Sequence, residues 1–119
     1  MKRVVIIGAS TKPHRYSHKA ALALKKQGHT VFLVGKNPGH IDDEEILTGK
    51  PEFRKINTIT LYIRPELQEE MYDYILDIKP KRIIFNPGTE NPELAKMAKE
   101  RGVETENACT LVLLSTDSF

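Results

Sequence analysis

Tryptophan is absent, cysteine occurs once, at Cys109, and neither charge sign dominates, with 18 Lys and Arg against 16 Asp and Glu. Each shortage removes a class of function. A lone cysteine excludes an internal disulfide framework and any cysteine cluster for zinc or iron–sulfur. A formal net charge of +2, with no basic stripe interleaved with aromatics, gives no footprint for nucleic acid. No apolar run approaches the thickness of a bilayer, and the N-terminus passes directly into a strand-like run rather than an h-region, so a cytoplasmic chain without membrane contact is expected. His14, His18, His29 and His40 show no metal-ligand spacing and no acid at a fixed offset. No metal is expected, and no nucleophile–base–acid set can be assembled.

What is present is alternation. The 119 residues suit one domain, 1–119. The run Val4-Val5-Ile6-Ile7 ends abruptly in Gly8-Ala9-Ser10-Thr11, the pattern of a buried parallel strand turning into a loop whose backbone N–H groups can approach an anion. Ser17 reads as the N-cap of a helix His18–Gln27, with Lys25 and Lys26 in the last turn and Gly28 at C′. Thr30–Val34 completes a strand–helix–strand unit and is closed by Gly35-Lys36-Asn37-Pro38-Gly39. Residues 40–56 show no sustained periodicity and read as a loop. A strand over 57–63 leads to Arg64-Pro65, with Pro65 at the first position of a helix running to about Lys79. Arg82–Phe85 is a fourth strand, Asn86-Pro87-Gly88-Thr89 its loop, Pro92–Arg101 a helix ended by Gly102, and Val103–Glu106 a fifth strand. The fold expected is a three-layer α/β, Rossmann-like doubly wound sheet of about five mainly parallel strands.

In such a sheet, ligands bind outside the carboxyl ends of the strands. The loops there carry Ser10, Thr11, Lys12, Arg15, Lys36, Asn37, Arg64 and Asn86, and the first acids are Asp42 and Glu66. That edge favours an anion. A domain built for NAD places an acid after the second strand, about 20 residues past the glycine loop, to hold the ribose hydroxyls. Gly35 and Lys36 stand there instead, which suits a phosphorylated ribose, as in NADP or coenzyme A. Gly8-Ala9-Ser10 lacks the second and third glycines of the dinucleotide pattern, and no Tyr-x-x-x-Lys pair follows. A minimal NADP-binding reductase domain therefore fits less well. A ligand-free interaction module using the helix Glu66–Lys79 is the third reading.

Six segments, Val4 through Ser10, Arg15-Tyr16-Ser17, Val34 through Pro38, Ile46 through Lys50, Arg64-Pro65 and Asn86-Pro87-Gly88, resemble in order and spacing the small stand-alone CoA-binding domain proteins. Those are relatives of the N-terminal CoA-binding domain of the succinyl-CoA synthetase α subunit, and the resemblance covers nearly the whole chain. It implies that coenzyme A, or an acyl-CoA, is the ligand. It places Gly8, Ala9, Ser10, Tyr16 and Ser17 at the diphosphate, with Thr11 adjoining them in the same loop, Lys36, Asn37 and Pro38 near the adenosine end, and Arg64 and Pro65 beside the pantetheine channel. Asn86 and Gly88 stand where many members carry a glutamine-containing turn. With no room for an ATP-grasp portion, the implied role is non-catalytic, as a binding or regulatory module, a homo-oligomer or one subunit of a larger complex. Cys109 has two readings: a small hydrophobe packed beside Leu111–Leu114, or a thiol near pantetheine able to form a mixed disulfide with CoA.

Overall fold

The computed structural model describes residues 1–119 and contains one seven-stranded sheet. Its strands are β1 (Arg3–Ile7), β2 (Thr30–Val34), β3 (Gly39–Ile41), β4 (Glu44–Leu47), β5 (Thr58–Leu61), β6 (Arg82–Phe85) and β7 (Glu104–Asn107), in the spatial order β3-β4-β2-β1-β5-β6-β7. Every pairing is parallel except β3 with β4. The five strands read from the sequence are β1, β2, β5, β6 and β7, and together with β4 they form the parallel body of a Rossmann-like α/β sheet. β1 lies at its centre, with Val5 level with Phe32 of β2 and Ile59 of β5. The chain winds outward from β1 to one side and then returns to β5 on the other, so the crevice between the ends of β1 and β5 is the switch point where such sheets hold ligands.

Alternation along the strands feeds two cores. Val4 and Ile6 pack with Ala21 and Leu24 of α1 (Tyr16–Lys26) and with Leu114 of α5 (Thr110–Ser115). Val5, Ile7, Ile59, Leu61 and Phe85 pack on the other face against Ile75 and Leu76 of α3 (Tyr72–Asp77) and Leu94 and Ala98 of α4 (Pro92–Glu100). Opposite faces follow from the two-residue period of a strand, and burial on both faces explains why β1 is apolar throughout Val4–Ile7.

Three expectations need correction. Residues 40–56 are not simply loop: Asp42, at φ +56°, turns a hairpin between β3 and β4, and β4 adds to the sheet beside β2. The hairpin is short and only Ile41 and Ile46 are buried in it, too little apolar pattern to show a period. The helix after Pro65 is not continuous: α2 (Pro65–Gln68) passes through a 3₁₀ turn at Glu69–Met71 into α3 and stops at Asp77. Its buried face persists through Gln68, Ile75 and Leu76. Ser17 is not the N-cap of α1, because Arg15 and Tyr16 wind into the first turn once the Arg15 carbonyl accepts from His18 and Lys19. The apolar run Leu111–Leu114, to which no element was assigned from the sequence, lies in α5.

Candidate functional site

Gly8 ends β1 at φ +101°, and a Cβ built there would lie 2.9 Å from the backbone carbon of Tyr62. The loops after β1 and β5 therefore touch through bare backbone. A Cβ on Gly35 would come 2.5 Å from the Ala9 carbonyl oxygen, and one on Gly39 2.5 Å from the Thr11 methyl, so the loop after β2 closes on the same place. Three glycines let three loops converge at the carboxyl ends of β1, β2 and β5.

The backbone donors there divide sharply. The Gly8 and Ala9 N–H groups both donate to the Val34 carbonyl, at 2.9 and 3.0 Å, and so join β1 to β2 rather than face a ligand. The N–H groups of Ser10, Thr11, Tyr16 and Ser17 meet no acceptor in the protein. The last two belong to the first turn of α1, which has no side-chain cap and no acidic residue. The helix thus presents its positive end uncompensated. His18 bonds the Ser10 carbonyl through Nδ1 at 2.9 Å, and the Ser10 hydroxyl accepts from the Lys12 N–H at 3.1 Å, so loop and helix are held in one unit.

Around this unit Lys12, Arg15, Tyr16, Lys36, Asn37, Pro38 and Arg64 are exposed, and Ser17 is buried. Arg64 lies 3.9 Å from Glu66, and Lys12, Arg15 and Lys36 are in no ion pair. Pro65 occupies the first turn of α2 beside Arg64. The edge is cationic, with solvated side chains around the free backbone N–H groups.

Asn86 is on this edge but its side chain is already committed. It is buried, donates through Nδ2 to the Thr60 hydroxyl at 2.6 Å and the Leu61 carbonyl at 2.8 Å, and accepts from the Thr110 N–H at 2.9 Å. Its amide joins β5, β6 and α5. Gly88, at φ +91°, is exposed at the tip of the loop. The network extends to residues that sequence reasoning did not single out: the Thr60 and Thr110 hydroxyls are 2.8 Å apart, and Gln68 donates to the Ile63 and Thr89 carbonyls and accepts from Asn91. One signal was available, since Thr58 and Thr60 alternate with Ile59 and Leu61 in a strand buried on both faces. Buried hydroxyls require partners.

Cys109 is half-buried and precedes α5 as its N-cap residue, two positions after β7 ends at Asn107. The thiol is therefore at the carboxyl edge of the sheet rather than in the core beneath Leu111–Leu114. Near it the Tyr62 hydroxyl is buried without a hydrogen bond. Burial pushes Tyr62 up to about 12, which the adjacent Thr110 and Thr60 hydroxyls oppose and the nearby Cys109 reinforces. Those two hydroxyls are bonded to each other.

No group of three or more His, Cys, Asp or Glu side chains is placed to hold a metal ion, and no helix is long and apolar enough to cross a membrane. The family model described as CoA binding domain matches residues 2–115. None of the curated proteins matches the chain. Among solved structures, a crystal structure described only as that of an uncharacterized protein is 44% identical, covers 100% of this chain and 98% of its own, and superposes with a TM-score of 0.98. A hypothetical protein from Pyrococcus horikoshii OT3 is 24% identical over 97% of this chain and 82% of its own, TM-score 0.86. A Thermus thermophilus protein is 20% identical over 99% and 91%, TM-score 0.83. At those identities the last two show the fold alone.

Proposed function

Because the chain belongs to the CoA binding domain family, we propose that it binds coenzyme A or an acyl-CoA at the carboxyl edge of its sheet, as a single non-catalytic binding or regulatory domain. The observation that carries this reading is the uncapped, acid-free first turn of α1 beside the Gly8-Ala9-Ser10 loop. The Ser10, Thr11, Tyr16 and Ser17 N–H groups would hold the diphosphate. Lys36, in the place of a ribose-binding acid, would pair with the phosphate on the CoA ribose. Asn37 and Pro38 would flank the adenosine end, and Arg64, Pro65 and the Gly88 loop the pantetheine arm. The Asn86 side chain would hold that loop in place rather than touch ligand. CoA supplies a thiol that carries acyl groups as thioesters. Cys109 and Tyr62 would stand at that end of the ligand.

The test is a thermal shift with CoA, NADP and NAD side by side, on the parent chain and on Lys36→Glu. A ligand at a hundred times its Kd stabilises the fold by about 2.7 kcal/mol, which moves Tm by several degrees. CoA should shift the parent, NAD should not, and Lys36→Glu should reduce the CoA shift less at high salt than at low salt. A shift with NAD or NADP and none with CoA overturns the reading.

A further inference from the structure

The opposite edge of the sheet, where the strands begin, carries an open cleft of about 680 Å³. It is bordered by the turns that follow α3 and α4 and by the first residues of β6 and β7. Five of its lining residues are cations, Lys2, Lys79, Lys81, Arg82 and Arg101, and one is a carboxylate, Glu104. The whole chain carries only +2, so this cleft holds more positive charge than the molecule does and the remaining surface is net negative.

Ordinary structural causes account for part of this gathering. Arg101 caps the end of α4 and Lys79, at φ +56°, follows α3, so each lies near the negative end of a helix dipole, and Arg101 is 3.5 Å from Asp77. They do not account for Lys2 and Lys81, just before β1 and β6, or for Arg82 at the start of β6. Lys81 and Lys79 are exposed and take part in no ion pair. Arg82, 13% exposed, donates to the Thr58 hydroxyl at 3.1 Å and to Glu106 at 3.0 Å, while its Nη2 is buried without a partner. Beside it Lys2, whose Nζ donates to the Phe119 main-chain oxygen, is lowered by burial and by the Arg82 charge, with Glu106 acting in the opposite sense. Like charges held together, one of them incompletely paired, create a local potential that a bound anion would relieve.

We infer that this cleft is a second anion site, for a small ligand carrying a di- or triphosphate group, with Lys79, Lys81 and Arg101 as its movable donors and Arg82 as the fixed charge at its floor. It is separate from the CoA edge, since the carboxyl ends of β1, β2 and β5 lie at the other end of the same strands. The recessed shape and the lack of an exposed aromatic among its lining residues favour a compact phosphate over a nucleic-acid strand, which would need surfaces for base stacking.

Residue-resolved NMR titration of the full chain with sodium tripolyphosphate, repeated in saturating CoA, tests this. Saturable shifts are expected at residues 79–82 and 101–104 in both titrations, with affinity at least about tenfold weaker in Lys81→Ala and Arg101→Ala and retained in Lys81→Arg. Both positions are exposed, and unchanged signals elsewhere would establish that the variants fold. ATP added in saturating CoA distinguishes a nucleoside triphosphate from the bare chain of phosphates by which of the two binds more tightly at these residues. Shifts that equivalent sodium chloride reproduces, shifts confined to residues 8–17, or binding of a single-stranded oligonucleotide with none of tripolyphosphate would each overturn the assignment. Because CoA is read at other residues, failure here leaves the first reading standing.

Discussion

Gly8 is the residue on which the carboxyl edge depends, for two separable reasons. Its φ of +101° is one that L side chains rarely adopt, and the space a Cβ would take is filled by the Tyr62 backbone. Gly88 shares the first constraint, at φ +91°, but nothing lies within 4 Å of its Cβ position. Gly88→Ala should therefore cost only the backbone strain, on the order of 1 kcal/mol. Gly8→Ala should cost at least about 2 kcal/mol, because the loops after β1 and β5 must also move apart. Urea midpoints of the two variants check the ordering, and equal losses would mean that the close approach is not maintained in solution. The glycine itself was legible from its place after an apolar run. Its second cause was not, since Tyr62 is 54 positions away.

The first turn of α1 sets stability against binding. Arg15 holds the N-cap position in extended conformation, φ −72° and ψ 140°, and supplies no side-chain oxygen to the free N–H groups. Arg15→Asp should raise stability by about 0.5–2 kcal/mol through capping and charge–dipole attraction, while weakening CoA by placing a carboxylate where the diphosphate is proposed to sit. Denaturation and calorimetry on the same variant read the two effects, and a gain in both would place the ligand elsewhere. The strands, the helices of the parallel units and the loops at the carboxyl edge could be read from period and punctuation. The start of α1 could not, because Ser17 outscored Arg15 as a cap on composition, and the loop geometry from Lys12 to Arg15 decided otherwise. The β3–β4 hairpin escaped because strands of three and four residues, each with one buried side chain, leave no pattern.

For the molecule as a whole, four part-buried groups, Tyr62, Tyr74, Lys2 and His29, shape the dependence of stability on pH. Tyr62 and Tyr74 are each raised from 10.0 to about 12 by burial. A raised pKa means that the folded state holds its proton more tightly, so their contribution is complete below pH 10 and is lost as pH rises toward 12. Lys2, lowered by burial, acts in the opposite sense in that range, so the informative measurement is a difference. Tyr62→Phe should remove up to about 2–3 kcal/mol of the alkaline loss and should not destabilise the neutral protein, since it deletes a buried hydroxyl without a partner. Urea midpoints against pH for parent and variant check it, and identical alkaline slopes would mean that Tyr62 is solvated. At the acid end, burial and the charges of Lys2 and Arg82 lower His29 from 6.5. Its contribution is present above pH 6.5 and falls away below it.

By itself the sequence determined the α/β alternation, the five parallel strands and the cationic character of their carboxyl edge, because each depends on residues within a few positions of one another. It also placed Lys36 where an acid would be needed for NAD, a matter of spacing alone. Only the tertiary structure decided which N–H groups remain free, since the Gly8 and Ala9 donors are used by a carbonyl on β2 that no local pattern associates with them. Folding likewise turned Asn86 from a loop polar group into the buried tie among β5, β6 and α5. The basic cleft is the clearest case: Lys2, residues 79–82 and Arg101 are scattered through a chain of nearly balanced charge, and parallel pairing brings their strand and helix ends to one edge. Charge along a chain is additive and readable, whereas potential in a cleft depends on distances that only packing sets.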